Sequence, residues 1–226
     1  MLPYVLPFLL YVIPTTFESS GVFGLSYEFL CTMKGVMAAI ALGIFWKRYA
    51  VFRMDGVWWG VICGIVGLLL WVGLDRVQSS ISLEGIPGAE LLKSGLLPGE
   101  RVGFNPLSAG GPSAAQLLFV LVRMLEMMLI VPLVEEFFWR GFLSRYLISE
   151  QFQSVAEGAF TRWSFLGVTV IFALMHTEIL AALAWCALIN TLYWYTRNIW
   201  SCVVMHGVTN GLLVVYILLT ANWHLW

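Results

Sequence analysis

The stretch Val134 to Phe142 reads Val-Glu-Glu-Phe-Phe-Trp-Arg-Gly-Phe and sets Glu135, Glu136 and Arg140 inside one of the most apolar parts of the chain. An ionisable group at membrane depth costs about 2.5 kcal/mol or more, so such groups normally face a protein interior or a wet cavity and have a task there. On a helix, residues four apart share a face, so Glu136 and Arg140 can pair, acid before base in the favourable order. Glu135 lies about 100° further round and is left without that partner. The spacing suggests a division of labour: Glu136 and Arg140 hold the helix and the local field, and Glu135 is available for chemistry. The competing reading is an ion-paired helix end at the lipid headgroups.

Two of the three histidines, His176 and His206, fall in apolar stretches that read as membrane spans. His206 and Asn210 are four apart and can point at one spot. Each alone is more often a satisfied core polar group than a catalyst. With Glu135 they make a carboxylate, two imidazoles and an amide, the parts of a hydrolase that activates water. A glutamate in an apolar pocket can work as a general base. A histidine and an asparagine can donate to the oxyanion that develops on a peptide carbonyl. Water is the expected nucleophile, because no Ser or Cys stands in a recognisable nucleophile setting. Gly-x-Ser-x-Gly and His-Glu-x-x-His are absent, and the only aspartates, Asp55 and Asp75, read as span ends.

The elements that must position these groups are membrane helices. The 226 residues are 60% hydrophobic and 11% charged, with a mean hydropathy of +0.87, which excludes an ordinary soluble domain and predicts an all-α, polytopic bundle with a polar intramembrane cavity. A net charge of -1 leaves no basic patch for nucleic acid. About seven stretches approach the roughly 20 apolar residues a bilayer requires. They run from Leu2 to about Phe17, Phe29 to Trp46, Val57 to Leu74, Ser113 to about Ile148, Trp163 to His176, Ile179 to Tyr195 and Ile199 to about Thr220. The first carries Pro3, Pro7 and Pro14 and reads as a retained, kinked or interfacial segment, not a cleaved signal. Pro132 is expected to bend the fourth one turn before Glu136. Arg123 and Glu126, three apart, read as a structural pair. Cys31, Cys63, Cys186 and Cys202 lie in apolar segments and read as small core residues.

Residues 1–226 read as one integral membrane domain without internal repeats. The Gly-, Ser- and Pro-rich interval 75–112 is a long extramembrane loop, with a short surface helix expected at Gly88 to Leu97 and a turn at Phe104-Asn105-Pro106. Lys47, Arg48, Arg53, Arg145, Arg162 and Arg197 fall in loops on one side, which should be cytoplasmic. That places the N-terminus inside and the long loop outside. Counting from these basic residues, Glu135, His206 and His176 lie about 15, 13 and 21 Å deep. A shared wet pocket opening to the cytoplasm is the economical expectation.

Glu135-Glu136-x-x-x-Arg140, Phe172-x-x-x-His176 and His206-x-x-x-Asn210, in that order on successive helices, resemble the three motifs of the CPBP intramembrane proteases, the CAAX prenyl endopeptidase and Abi family. The likeness covers about residues 114–220, a catalytic helical core. It implies that Glu135 activates water with His176, that Glu136 and Arg140 support the site, and that His206 with Asn210 stabilises the oxyanion. It implies as substrate a membrane-anchored protein or peptide held in the bilayer. The Pro-rich first span and the loop ending in Phe104-Asn105-Pro106 are similar to CAAX protease-related proteins that accompany bacterial exosortase sorting systems, which implies a bacterial inner membrane. Glu135, His176 and His206 could also make an open zinc site, so the metal-free and the metal mechanism both stand, and neither substrate nor oligomeric state is specified. Two other functions compete. One is a non-proteolytic binding or assembly factor of a sorting pathway, and the other a small proton-coupled transporter, which the lack of repeats disfavours.

Overall fold

The computed structural model describes residues 1–18, 24–81, 103–107 and 111–226. Among them are seven apolar helices and no strand: α1 (Leu2–Thr15), α2 (Tyr27–Phe45), α3 (Val57–Ser80), α4 (Ala114–Tyr146), α5 (Arg162–Leu174), α6 (Ile179–Thr196) and α7 (Ile199–Thr220). Five are long and apolar enough to cross a bilayer, and α1 and α5 are shorter. At 1.5 Å per residue the 14 residues of α1 reach about 21 Å, less than the bilayer core of about 30 Å. Pro3 sits where a helix tolerates it, in the first turn, while Pro7 and Pro14 lie inside.

Local chemistry sets the ends. Ser113 and Gln116 close a reciprocal capping box before α4, and Thr161 and Ser164 do the same before α5. Asn198 caps α7 by accepting from Trp200 N (3.0 Å), and its amide donates to the carbonyls of Arg53 and Asp55 (3.1 and 2.7 Å), so one side chain fixes a helix start and the loop beside it.

Interhelical packing is closest where side chains are smallest. Gly60 and Gly64 on α3 face α7, where an added Cβ would stand 2.4 Å from Ser201 O and 2.8 Å from Met205 O. Without a hydrophobic drive between helices in lipid, such close approach is how they associate. Thr209 Oγ1 on α7 donates to Gly64 O at 2.9 Å across the same seam. On its other side α7 meets α4, where a Cβ at Gly207 would stand 2.7 Å from Met128 O.

That carbonyl explains the shape of α4. Pro132 has no N–H, so Met128 O loses its helical partner, and the helix widens to a π turn over Glu126–Ile130 just before it. A second π turn covers Phe137–Leu143. The proline expected to bend α4 thus sits in a short α segment, Val131–Glu136, with a change of helical pitch on both sides of it.

Two boundaries differ from expectation. Residues 75–80 continue α3 and are not loop: Asp75 is buried, and His224 Nε2 lies 3.2 Å from its carboxylate. Partners beyond the span supplied this, because Gln78 Nε2 donates to Thr177 O (2.8 Å) and its Oε1 accepts from Leu180 N (3.0 Å). His176, expected inside a span, lies beyond the end of α5 in the short link to α6. The helix expected at Gly88 to Leu97 lies outside the described residues. The turn at Phe104-Asn105-Pro106 is present, with Leu107 N donating to Asn105 Oδ1 at 2.9 Å and Phe104 stacked on Tyr27. Cys31, Cys186 and Cys202 are buried, Cys63 is half-buried, and all four are free thiols.

Candidate active site

Glu136 and Arg140 are fully buried and paired, with Arg140 Nη1 3.0 Å from Glu136 Oε2. The pair is the centre of a network that reaches three other helices. Arg140 Nε donates to Asn190 Oδ1 on α6 (3.1 Å), and Asn190 Nδ2 donates to Thr169 Oγ1 on α5 (3.0 Å). On α7, His206 Nδ1 lies 2.8 Å from Glu136 Oε1. Removing two charges from water is repaid only when their remaining hydrogen-bonding positions are filled, which is what Asn190 and His206 do. Sequence reasoning missed Asn190. Its signal was an amide in the middle of an apolar span, the same kind of signal that singled out His206.

These contacts set the imidazole chemistry. A carboxylate only accepts, so Nδ1 of His206 carries the hydrogen, and Nε2 of the neutral ring is an acceptor that becomes a donor on protonation. His176 has the same polarity: its Nδ1 is 2.7 Å from Phe172 O, one turn back at the end of α5. Aromatic rings hold both histidines. Trp71 meets His176 edge-on at 5.6 Å, Trp185 meets His206 at 4.8 Å, and Phe172 stacks on both His176 and Trp185.

Glu135, His176, His206 and Asn210 line one cavity of about 830 Å³. Glu135 is half-buried and, among the described residues, enters no ion pair, in contrast to its neighbour. The pairing of Glu136 with Arg140 is as helix geometry predicts. Asn210 is partly committed: its Nδ2 donates to Met127 O (2.9 Å), a carbonyl in the first π turn. One of its two amide hydrogens therefore secures the irregular backbone of α4, and the other remains available to a ligand.

The zinc set does not assemble. Among the described residues no three His, Cys, Asp or Glu side chains lie together so as to hold a metal. No metal-dependent step follows from this geometry.

The same cavity carries a second polar network that sequence reasoning saw only in part. The pair Arg123–Glu126 is present at 3.2 Å, and Arg123 Nη1 also donates to Tyr11 OH (3.1 Å). Lys34, 1% exposed in the middle of α2, pairs with Glu18 at 2.7 Å and donates to Thr15 Oγ1 at 2.9 Å. A lysine inside a hydrophobic span was a legible signal. Its partners lie before α2, where no regular spacing links them.

The cavity also reaches an unexpected end of the bundle. Its wall includes Thr16 and Glu18 after α1, Phe104, Thr177 and Glu178 between α5 and α6, and Trp226 at the C-terminus. These lie at the end opposite the basic loops, whereas a pocket opening on the basic side was anticipated. The depth argument located the polar groups and could not tell which end of the bundle was closed.

A family model described as type II CAAX prenyl endopeptidase Rce1-like matches residues 116–212, from the start of α4 into α7. No curated protein and no solved structure matches the chain.

Proposed function

A family model of type II CAAX prenyl endopeptidases matches residues 116–212, and from that likeness we propose that this membrane protein belongs to the CPBP family and is an intramembrane endopeptidase whose nucleophile is a water activated by Glu135. The observation that carries the reading is that Glu135, His176 and His206, from three separate segments, line one cavity together with a set of aromatic side chains.

In this reading Glu135, with the acceptor Nε2 of His176, takes a proton from water as its oxygen attacks the carbonyl carbon of the scissile bond. The tetrahedral oxyanion is stabilised by protonated His206, whose positive charge Glu136 supports, and by the remaining amide hydrogen of Asn210. The proton held by Glu135 then passes to the leaving amine nitrogen as the C–N bond breaks. Glu136 and Arg140 touch no reacting atom and act as positioning residues for His206. The substrate is a membrane-anchored polypeptide, because the cavity lies within the helical bundle and its walls include Phe8, Trp71, Trp139 and Trp185. A prenylated tail, as the family's name carries, and a peptide sorting signal of the exosortase kind are both within this class.

The test is the Glu135→Gln variant in the native host, following the membrane-anchored proteins whose processing changes. Loss of a cleavage product at an unchanged level of the variant protein is expected. Unchanged processing would overturn the protease reading in favour of a non-proteolytic assembly factor.

A further inference from the structure

We propose that the cavity is reached from the extracytoplasmic side of the membrane, so that the polypeptide it takes presents its cleaved segment on that side. The identity of the ligand rests on the endopeptidase reading, and the topology does not.

One end of the bundle is sealed. Tyr49 stacks on Phe137 at 4.2 Å, and Trp200 packs edge-on against Phe137, Trp46 and Phe52. Polar groups fasten the seal from every side. Tyr49 OH donates to Pro3 O (2.6 Å) and Tyr4 OH to Arg48 O (3.1 Å), which tie α1 to the α2–α3 loop. Trp200 Nε1 donates to the carbonyls of Ala50 and Val51, and Arg53 Nη2 to Arg197 O (3.0 Å). None of the residues in this seal lines the cavity.

The other end supplies the wall. The segments after α1, between α5 and α6, and after α7 all contribute, and so does Phe104. Thr16 and Met175 at this rim are exposed. Glu18, Lys34, Arg123 and Glu135 all contribute to this wall, and ionisable groups at membrane depth face a protein interior or a water-filled cavity.

Charge then assigns the sides. Lys47, Arg48, Arg53, Arg145, Arg162 and Arg197 belong to the sealed end, in short connections where the bias of Lys and Arg sets orientation. Arg76 lies toward the other end, and Lys93 and Arg101 belong in sequence to the long interval, a kind of loop that crosses the membrane largely regardless of charge. The sealed end is cytoplasmic and the mouth faces out.

The experiment places single cysteines at Thr16, Met175 and Asp55 in a Cys63→Ala background and probes them with a membrane-impermeant maleimide. Sealed right-side-out and inverted vesicles of the expression host are compared. Thr16→Cys and Met175→Cys are expected to label only in right-side-out vesicles, and Asp55→Cys only in inverted ones. A Val12→Cys variant, deeper in the same wall, is expected to react with a small cationic thiosulfonate from the Thr16 side. The reverse pattern, or reaction of Val12→Cys only from the Asp55 side, overturns the proposal. Sequencing the ends of Glu135-dependent fragments separates the two readings. Cut sites on extracytoplasmic segments support the topology, and cut sites on cytoplasmic segments overturn it while leaving the protease reading intact. Labelling as expected with no Glu135-dependent fragment supports the topology and removes only the protease reading.

Discussion

Helix α4 carries two buried carboxylate–arginine pairs, Arg123–Glu126 and Glu136–Arg140, each beside a π turn, and they are embedded in different ways. The first faces the N-terminal helices, through Tyr11 on α1 and Cys31 on α2, whose Sγ lies 3.6 Å from Glu126 Oε2. The second faces α5, α6 and α7 through Thr169, Asn190 and His206. Every partner of the second pair lies within the segment 116–212 that matches the family, whereas every inter-helix partner of the first lies outside it. Two similar ion pairs on one helix thus serve different ends. One fastens α1 and α2 to the core, and the other organises the candidate active site inside it.

The contrast can be broken experimentally, and the largest effect is expected from half-removal of the inner pair. Glu136→Ala leaves Arg140 buried and uncompensated and should cost about 3–5 kcal/mol. Thermal unfolding in detergent reads this as a large fall in Tm or loss of folded protein.

Replacing both members of a pair by apolar residues separates structure from function. Such exchanges are often neutral or stabilising by about 1–4 kcal/mol, so Arg123→Met with Glu126→Leu should keep both the fold and the cleavage activity. Glu136→Leu with Arg140→Met should keep the fold and lose the activity, because His206 loses its orienting carboxylate. Equal activity in the two double variants would erase the distinction.

Asn190→Leu comes next. It leaves Arg140 Nε without its acceptor and should lower stability by about 1–3 kcal/mol, with a smaller loss of activity than Glu135→Gln. Tyr11→Phe should have the smallest effect. It removes one hydrogen bond of the outer network, worth about 1 kcal/mol, and should leave cleavage unchanged. A loss of cleavage without a fall in Tm would draw the outer network into the active site.

Much of this arrangement was legible from residue types. Hydropathy located the helices because lipid permits few alternatives, and α7 runs over the expected Ile199 to Thr220. The i, i+4 relation of Glu136 and Arg140 is local, so geometry along one helix was enough to anticipate their pairing. Where the reading stopped, the missing partner was distant in sequence. Asp75 and Gln78 looked like loop because their charge and polarity are satisfied by His224 and by the backbone of Thr177 and Leu180, about a hundred residues or more away. The π turn before Pro132 depends on Met128 O finding space against Gly207, which no spacing within α4 reveals.

The sequence by itself determined that this protein is a helical membrane bundle, which side carries the basic loops, and that Glu135, Glu136, Arg140 and His206 fall within apolar helices. These follow from hydropathy, charge and helical period, all properties of short stretches. Only the tertiary structure decided that Asn190 completes the buried network, that Lys34 and Glu18 share the cavity with Glu135, and that the cavity wall reaches the end away from the basic loops. A cavity is the space that several helices fail to fill, so its mouth is set by how their ends pack together, and no single segment encodes it.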